Sequence, residues 1–302
     1  MHQLPHRRRH RCCRRCNQQR CAEPRALNIP EPRPVQLNLA FVRAIDGRTV
    51  LASRTVSYPY CVTAPLRAAT TKTEARLILQ SSSGGLYAGE RLAQTITAGP
   101  QARVVIECPA ATVVQGMKPP ALARQVLSIA VSRDGQLRYL SRPLIFFPDA
   151  ALEQRVMLRA SADAAILYRE GFCLHDARGG DRAFRQFRGS TQVLDENGAL
   201  LALDRSVVEG PQIIAGIPGI GGAFRAFGSI YLIRSMDEAE VLQFKGALMA
   251  HFAGSPLIYA SAGALRRGCG LLVRVAARDG GALADALEEI TDRLANVFLE
   301  QG

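Results

Sequence analysis

Glycine-containing turn dipeptides recur along the body of this chain, between segments in which apolar and polar residues alternate. They lie at Asp46-Gly47, Gly99-Pro100, Asp134-Gly135 and Asn197-Gly198. Asp-Gly and Asn-Gly tolerate the positive φ angles of a type I′ turn, whose twist matches that of two paired strands. The alternation itself has the period of a β-strand. The pattern predicts a mainly β fold of mostly antiparallel strands, beginning near Gln36.

Two α-helices are predicted, both in the C-terminal half. The first begins at a capping box formed by Ser235 and Glu238, in which each side chain bonds the other residue's backbone N–H. Each helix carries one apolar stripe, which predicts packing against a core. The stripes are Val241, Phe244, Leu248 and Phe252 in the first helix, and Leu283, Leu287, Ile290, Leu294 and Phe298 in the second.

The first 34 residues differ in composition from the rest. They hold nine arginines, two glutamates and four of the eight cysteines, and end in a proline-rich stretch. We predict a disordered Arg/Cys-rich leader and linker over residues 1–35 and a folded domain over 36–302. For the leader, three interpretations stay open: an extension without function, adventitious metal binding through its Cys and His residues, and nucleic-acid binding through its arginines. No aromatic residue is interleaved to stack on bases, so nucleic-acid binding is not favoured.

The positive charge of the body is modest. The leader carries +7 of the net charge of +12, which leaves +5 for the remaining residues. Arginine is not clustered on any one predicted element of the body, and we interpret its abundance as coding bias rather than function. The chain has no apolar run near the ~20 residues that a membrane span needs. It also has no secretory signal, so a soluble cytoplasmic protein is expected.

Several classes of enzyme are disfavoured. The body contains only two histidines, His175 and His251, and neither H-E-x-x-H nor G-x-S-x-G occurs. The glycine-rich stretch from Gly216 to Gly222 has P-loop spacing but lacks the Lys-Ser/Thr that would hold phosphate and Mg²⁺. The sequence therefore predicts a protein that is not an enzyme.

Three acids of the body lie beside apolar or glycine-rich sequence: Glu90, Glu170 and Asp204. A carboxylate is costly to bury unpaired, so each is expected either to meet an arginine or to serve a ligand. Cys173 and His175, two residues apart in a predicted strand, would project from one face as a weaker pair of metal ligands. The alternative for Cys173 is a place in the core.

Five segments in this order resemble the urease accessory protein family UreD, also called UreH. They are LNLAFVRAIDGRTVLASRTVSYP, LILQSSSGGLYAGERL, LIFFPDAAL, REGFCL and ALLALDR, between about residues 36 and 208. The resemblance implies a β-helix-like stack of strands and hairpins with two helices. It also implies a complex with UreF and the GTPase UreG that delivers nickel to apo-urease.

The family likeness gives the three acids an expected role. In that scheme the protein passes Ni²⁺ along an internal polar tunnel, and Glu90, Glu170 and Asp204 match the family's acidic positions. The chain also departs from the family pattern: Ser81-Ser82-Ser83 replaces a His-Pro-Pro, and Glu90 replaces the usual Asp. Three hypotheses follow: a nickel-delivery scaffold, an interaction module of the same complex without metal transfer, and nucleic-acid binding through the leader.

Overall fold

The computed structural model describes residues 35–66, 73–218 and 221–299, with side chains to residue 295. The leader and its three interpretations lie outside these residues, as do Gly219 and Ile220 of the glycine-rich stretch and the side chain of Phe298. The first strand begins at Leu37, which confirms the predicted start of order near Gln36.

The described strands form two sheets. The first sheet contains, in spatial order, β14 (Leu200–Val208), β13 (Gln186–Leu194), β11 (Ala151–Ala160), β8 (Ala123–Val131), β5 (Arg91–Ala98), β1 (Leu37–Arg43) and β2 (Thr49–Val56). The second contains β16 (Ile258–Ala264), β17 (Gly270–Ala277), β15 (Ala226–Ile233), β12 (Ala165–Leu174), β9 (Gln136–Ser141), β6 (Arg103–Cys108), β4 (Glu74–Ser81) and β3 (Tyr60–Val62). Two short strands, β7 (Val113–Val114) and β10 (Leu144–Phe146), attach beside β12.

The chain coils between the sheets, so that consecutive strands from β4 to β13 mostly alternate from one sheet to the other. Strands stacked in this way run parallel, as in the ladders β5–β8, β8–β11 and β11–β13. The β-helix-like prediction is thus confirmed, whereas the prediction of mostly antiparallel strands is wrong. Of fifteen strand pairings among the described residues, nine are parallel.

The turn dipeptides explain that error. Asp46-Gly47 and Asn197-Gly198 do close antiparallel hairpins, β1–β2 and β13–β14. Gly99-Pro100 and Asp134-Gly135 instead form corners where the chain leaves one sheet and enters the other. At Gly135 an added Cβ would lie 2.8 Å from the carbonyl oxygen of Ser132, so only glycine fits this corner. A tight turn is compatible with either geometry, and the dipeptide alone does not distinguish them.

Three helices are described rather than two: α1 (Gly210–Ile214), α2 (Glu238–His251) and α3 (Gly280–Leu299). The five-residue α1 is too short to produce a periodic stripe. The capping box of α2 forms two residues later than predicted, between Asp237 and Glu240. Met236, just before the cap, is buried in the same cluster as Val241, and this hydrophobic staple fixes where the helix begins.

Two apolar clusters hold the fold together. The first fills the space between the sheets, and the second joins the outer side of the second sheet to α2 and α3. Val241 and Leu248 of α2 are buried, as are Leu283, Leu287, Ile290 and Leu294 of α3. Both stripes are therefore confirmed as core-facing for the described side chains. Within the described ranges, no helix combines the length and apolarity needed to span a membrane.

Candidate functional site

The space between the two sheets is not filled by apolar residues throughout. A cavity of about 710 Å³ lies there, with walls from both sheets. The first sheet contributes Gln94, Gln125 and Gln154, and the second contributes Tyr139 and Tyr168. Each of these side chains occupies an inward position of its strand, where the alternation otherwise places leucine, isoleucine or valine. A polar seam therefore runs through an otherwise apolar interior.

Strand register aligns this seam. Gln125 is paired with Gln154 across the parallel ladder β8–β11. On the opposite wall, Tyr139 is paired with Tyr168 and Tyr168 with Tyr231, across three neighbouring strands. The rings of these tyrosines lie 6.0 Å and 5.8 Å apart between centroids. Since the strands have a period of two, identical positions on successive coils bring like side chains into register.

One end of the seam contains two carboxylates. Glu170 lines the cavity, and its Oε2 atom accepts hydrogen bonds of 2.8 Å from the Tyr168 hydroxyl and 2.8 Å from Gln154 Nε2. Tyr231 donates to Glu170 Oε1 at 3.4 Å and is also within hydrogen-bonding distance of Asp204. We call Glu170, Asp204, Tyr231 and Arg274 the acidic cluster. A single tyrosine hydroxyl thus links the two predicted acids.

Asp204 is held by an arginine from the other sheet. Arg274 Nη2 lies 2.5 Å from Asp204 Oδ2, and its Nη1 atom donates to the Ser229 hydroxyl at 2.9 Å. Arg205, the sequence neighbour of Asp204, points to the opposite face of β14, because adjacent residues of a strand alternate. The Arg274 side chain is 51% exposed and lines the cavity, whereas Asp204 is 22% exposed and is not among the lining residues.

Burial sets the protonation chemistry of the acidic cluster. Removal from water raises the pKa of Glu170; the hydrogen bond from Tyr168 lowers it, and the charge of Asp204 raises it further. Burial also raises the pKa values of Tyr168 and Tyr231 well above the ordinary range. These hydroxyls therefore remain protonated donors at neutral pH. A cation that approached Glu170 would compete with a proton for this carboxylate.

The other end of the seam holds no carboxylate on the cavity wall among the described residues. Gln94 Nε2 donates to the Tyr60 hydroxyl at 2.9 Å, and the Tyr139 hydroxyl donates to Gln94 Oε1 at 3.1 Å. Burial raises the pKa of Tyr60 to about 12, with a smaller contribution from the charge of Glu90. We call Tyr60, Gln94 and Tyr139 the neutral cluster.

Glu90 lies near the neutral cluster rather than the acidic one. It follows the glycine-rich loop, where Gly85 has φ +140° and an added Cβ would lie 2.2 Å from the carbonyl oxygen of Val113. The Glu90 carboxylate accepts a 2.9 Å hydrogen bond from the backbone N–H of Tyr87, and the Glu90 carbonyl accepts one of 2.8 Å from the N–H of Arg124. Its side chain is not among those that line the cavity.

The side chains of Cys173 and His175 lie in different surroundings and contact different residues. Cys173 is buried in the cluster under α2 and α3, where burial raises the pKa of its thiol to about 11. His175 is exposed and packs its ring on Phe147, 5.7 Å between centroids. The core alternative describes Cys173 well. In the parts of the chain that the structure describes, no three His, Cys, Asp or Glu residues are grouped closely enough to hold a metal ion.

Sequence reasoning located two acids of this site but not the residues that connect them. The polar residues around these acids were not among the predicted site residues: Gln94, Gln125, Gln154, Tyr139, Tyr168 and Arg274 on the cavity wall, and Tyr231 beside it. A signal for the glutamines was present, since Gln94 and Gln154 interrupt the apolar positions of LAQTITA and ALEQRVML. A polar side chain at an inward position needs a partner, and here the partners come from the opposite sheet.

Comparisons with known proteins point to one family. A family model described as UreD urease accessory protein matches residues 34–302. The chain is 32% identical over 270 residues to urease accessory protein UreD 1 of Methylorubrum populi, covering 89% of each chain. It is 31% identical to UreD 1 of Pseudomonas syringae pv. syringae, covering 86% of this chain and 90% of the relative. It is 32% identical to UreD 2 of Bradyrhizobium sp. ORS 278, covering 82% and 85%.

Proposed function

This chain belongs to the UreD family of urease accessory proteins, and from that premise we propose that it passes nickel ions through its interior to the urease apoprotein. Membership supports a role in urease maturation and makes the chain an accessory protein rather than an enzyme. Nickel in this proposal is a transient cargo, which enters and leaves the protein with no bond made or broken in a substrate.

The observation that carries the proposal is the seam that leads from the neutral cluster to the acidic cluster. A dication that enters a narrow protein cavity must exchange water oxygens for others. The seam offers amide and hydroxyl oxygens along both walls and ends at the Glu170 carboxyl, which Tyr231 joins to Asp204. Such oxygen donors replace hydration without enclosing the ion.

The donor set favours transfer over storage. A site with three or four convergent imidazole, thiolate or carboxylate ligands would hold nickel tightly. The acidic cluster supplies two carboxylates, one of which already has an arginine partner. An ion that reaches Glu170 meets one carboxyl group without an arginine partner, and Asp204 becomes available when Arg274 moves. Weak, successive ligands allow the ion to be released to a stronger site.

The proposal includes partners and a compartment. The family scheme joins the protein to UreF and to the GTPase UreG, and this assembly docks on apo-urease in the cytoplasm. Two alternatives are retained. In the first, the chain is an interaction module of the same complex and transfers no metal. In the second, its Arg-rich leader binds nucleic acid.

The test replaces Glu90, Glu170 and Asp204 together by alanine in cells that express urease and its accessory proteins. The matched control replaces three exposed acids elsewhere, Asp163, Glu196 and Glu238, by alanine. We expect the first variant to co-purify with UreF and to leave urease without nickel, while the control supports full loading. Normal nickel content in the first variant would exclude the tunnel and favour the interaction module.

A second test addresses the leader. Deletion of residues 1–34 should leave urease activation unchanged if the folded domain carries the function. Loss of a salt-sensitive DNA complex on the same deletion, with activation intact, would assign the leader a separate role in nucleic-acid binding.

A further inference from the structure

The cavity between the sheets opens to solvent in two places. The first opening lies at the edge strands β14 and β16, where the lining residues Val207 and Tyr259 are 65% and 64% exposed. The second lies where the parallel strands β4, β6 and β9 end, and the lining residues Ser81, Gly84 and Ala110 are exposed there. A dissolved ion can therefore approach the cavity from either side.

The charge on the cavity wall is positive. In the part of the chain that the structure describes, three charged residues line the cavity: Arg142, Glu170 and Arg274. The two arginines and one glutamate leave a net charge of +1 when Glu170 is ionised and +2 when it holds a proton. The acids that pair with the arginines, Asp204 and Glu288, are not lining residues. The proposed cargo, a dication, thus meets a wall of its own sign of charge.

Arg274 lies at the first opening, on the way to Glu170. Strand register places Arg274 of β17, Ser229 of β15 and Glu170 of β12 in one row that leads inward from the edge strand β16. Arg274 Nη1 donates to the Ser229 hydroxyl at 2.9 Å, so the guanidinium lies along this row. An ion that enters from the edge strands therefore meets the charge of Arg274 before it reaches Glu170.

Arg142 lies at the second opening. It directly follows Ser141, the last residue of β9, which is paired with Cys108 at the end of β6. Arg142 Nη1 lies 3.2 Å from Glu288 Oε2 of α3, and the two side chains are 35% and 55% exposed. A partly exposed ion pair contributes little to stability, so the guanidinium can leave this position at small cost. The same holds for Arg274, and each opening therefore has one arginine that can turn away from the wall.

The donors of the seam do not select nickel by themselves. Amide, hydroxyl and carboxyl oxygens are ligands that suit Mg²⁺ and Ca²⁺. A charge barrier removes this competition, because a positive side chain at a narrow opening excludes free cations. We propose that Arg142 and Arg274 are selectivity residues that keep free divalent cations out of the cavity. The inference rests on the function proposed above and adds a condition: nickel enters only when the arginine at one opening has turned out of the wall.

The experiment measures how fast Ni²⁺ enters the purified full chain, with tyrosine fluorescence as the readout. The chain has seven tyrosines and no tryptophan, so tyrosine emission is not masked. Ni²⁺ quenches emission at short range, which separates exposed tyrosines, quenched at once, from those around the seam. The tyrosines around the seam are all buried: Tyr60, Tyr139, Tyr168 and Tyr231.

The test variant is Arg142→Met with Arg274→Met, which removes both charges from the wall at similar side-chain length. Arg142→Lys with Arg274→Lys retains the charges and is the first control. The second control is Arg133→Met with Arg178→Met, which changes the net charge equally at exposed loop positions outside the cavity wall. Thermal unfolding of all three variants checks that the fold is retained.

We expect Ni²⁺ to quench the buried tyrosines about ten-fold or more faster in the test variant than in wild type, because repulsion between like charges slows the encounter. Both controls should stay within about two-fold of wild type. Added NaCl should speed quenching in wild type, since salt screens the barrier, and should have little effect on the test variant. Mg²⁺ added beforehand should slow quenching by Ni²⁺ in the test variant and not in wild type.

Two results would overturn the barrier while the proposed function stands. They are equal quenching rates in wild type and test variant, and slower quenching of wild type in added NaCl. The second result needs no variant, so it decides the matter even if the test variant does not fold. Buried tyrosines that Ni²⁺ quenches in no variant would overturn both the barrier and passage through the cavity.

Discussion

The acidic cluster and the neutral cluster place different chemistry at two ends of the same cavity. Both make hydrogen bonds that involve buried tyrosine hydroxyls and glutamine amides from facing sheets. Only the acidic cluster adds carboxylates and an arginine that forms an ion pair with one of them. The neutral cluster solvates a cation without attracting it over a distance. The acidic cluster attracts the cation with its carboxylates, and Arg274 competes with the cation for Asp204. The difference predicts unequal effects of substitution at the two ends.

The largest effect is expected at the two carboxylates of the acidic cluster. Replacement of Glu170 by Gln together with Asp204 by Asn retains shape and hydrogen-bonding capacity but removes both negative charges. Nickel loading of urease should fall by about ten-fold or more, because ligand loss at metal sites costs at least that much. Nickel per urease, measured by elemental analysis alongside the amount of co-purified complex, checks this. Unchanged nickel loading of urease would show that the carboxylates of the acidic cluster have no greater role in nickel delivery than the neutral cluster.

A smaller effect is expected from Arg274, which competes with the cation for Asp204. Arg274→Met should raise the affinity of the purified chain for Ni²⁺ by about five-fold, equivalent to about 1 kcal/mol, since a partly exposed ion pair contributes little more. Arg274→Lys retains the charge and is the control. Equilibrium dialysis measures both, and equal affinities for the two variants would show that the ion pair does not oppose binding.

In the neutral cluster we expect a change in stability with little change in nickel delivery. Tyr139→Phe removes the hydroxyl that donates to Gln94 Oε1. The free energy of unfolding should fall by about 1 kcal/mol, the usual value of such a hydrogen bond. Urease loading should stay within about two-fold of wild type, because no charge is lost. Denaturant unfolding and nickel analysis of the same variant test both expectations, and a loss as large as that at the acidic cluster would contradict them.

The smallest effect concerns pH. Burial raises the pKa of Glu170 in the folded state, so the folded protein retains a proton that the unfolded chain releases. The free energy of unfolding therefore falls as pH rises from about 4.3, the ordinary pKa of glutamate, through the raised value. Glu170→Gln removes this loss, and its stability relative to wild type should increase over that window. Urea unfolding across the pH series checks the sign, with the exposed Glu196→Gln as control.

Local signals in the sequence predicted local features well. The start of the first strand, the two long helices and the hairpins at Gly47 and Gly198 followed from alternation, stripes and turn chemistry. The parallel stacking did not follow, because a corner at Gly135 and a hairpin turn require the same kind of residue. Which strand neighbours which is decided by contacts far apart in sequence.

The same limit applies to the site. Glu170 and Asp204 were predicted from the family pattern, yet nothing in the sequence shows that Tyr231 joins them or that Arg274 covers Asp204. Five arginines of the first sheet are separated by 17 to 33 residues along the chain and share one face only through strand register: Arg91, Arg124, Arg155, Arg188 and Arg205. Glu90 was grouped with the other two acids, while the structure gives it contacts near the neutral cluster. Its part in the relay stays a prediction.

Passage through the cavity is tested most directly by a plug that changes no charge. Gln125 lines the cavity midway along the first sheet, and Gln125→Trp should narrow it while Gln125→Ala should leave it open. In complexes that assemble normally, the Trp variant is predicted to leave urease largely without nickel, and the Ala variant to load it as wild type does. Full nickel content with the plug in place would contradict an internal route for the ion.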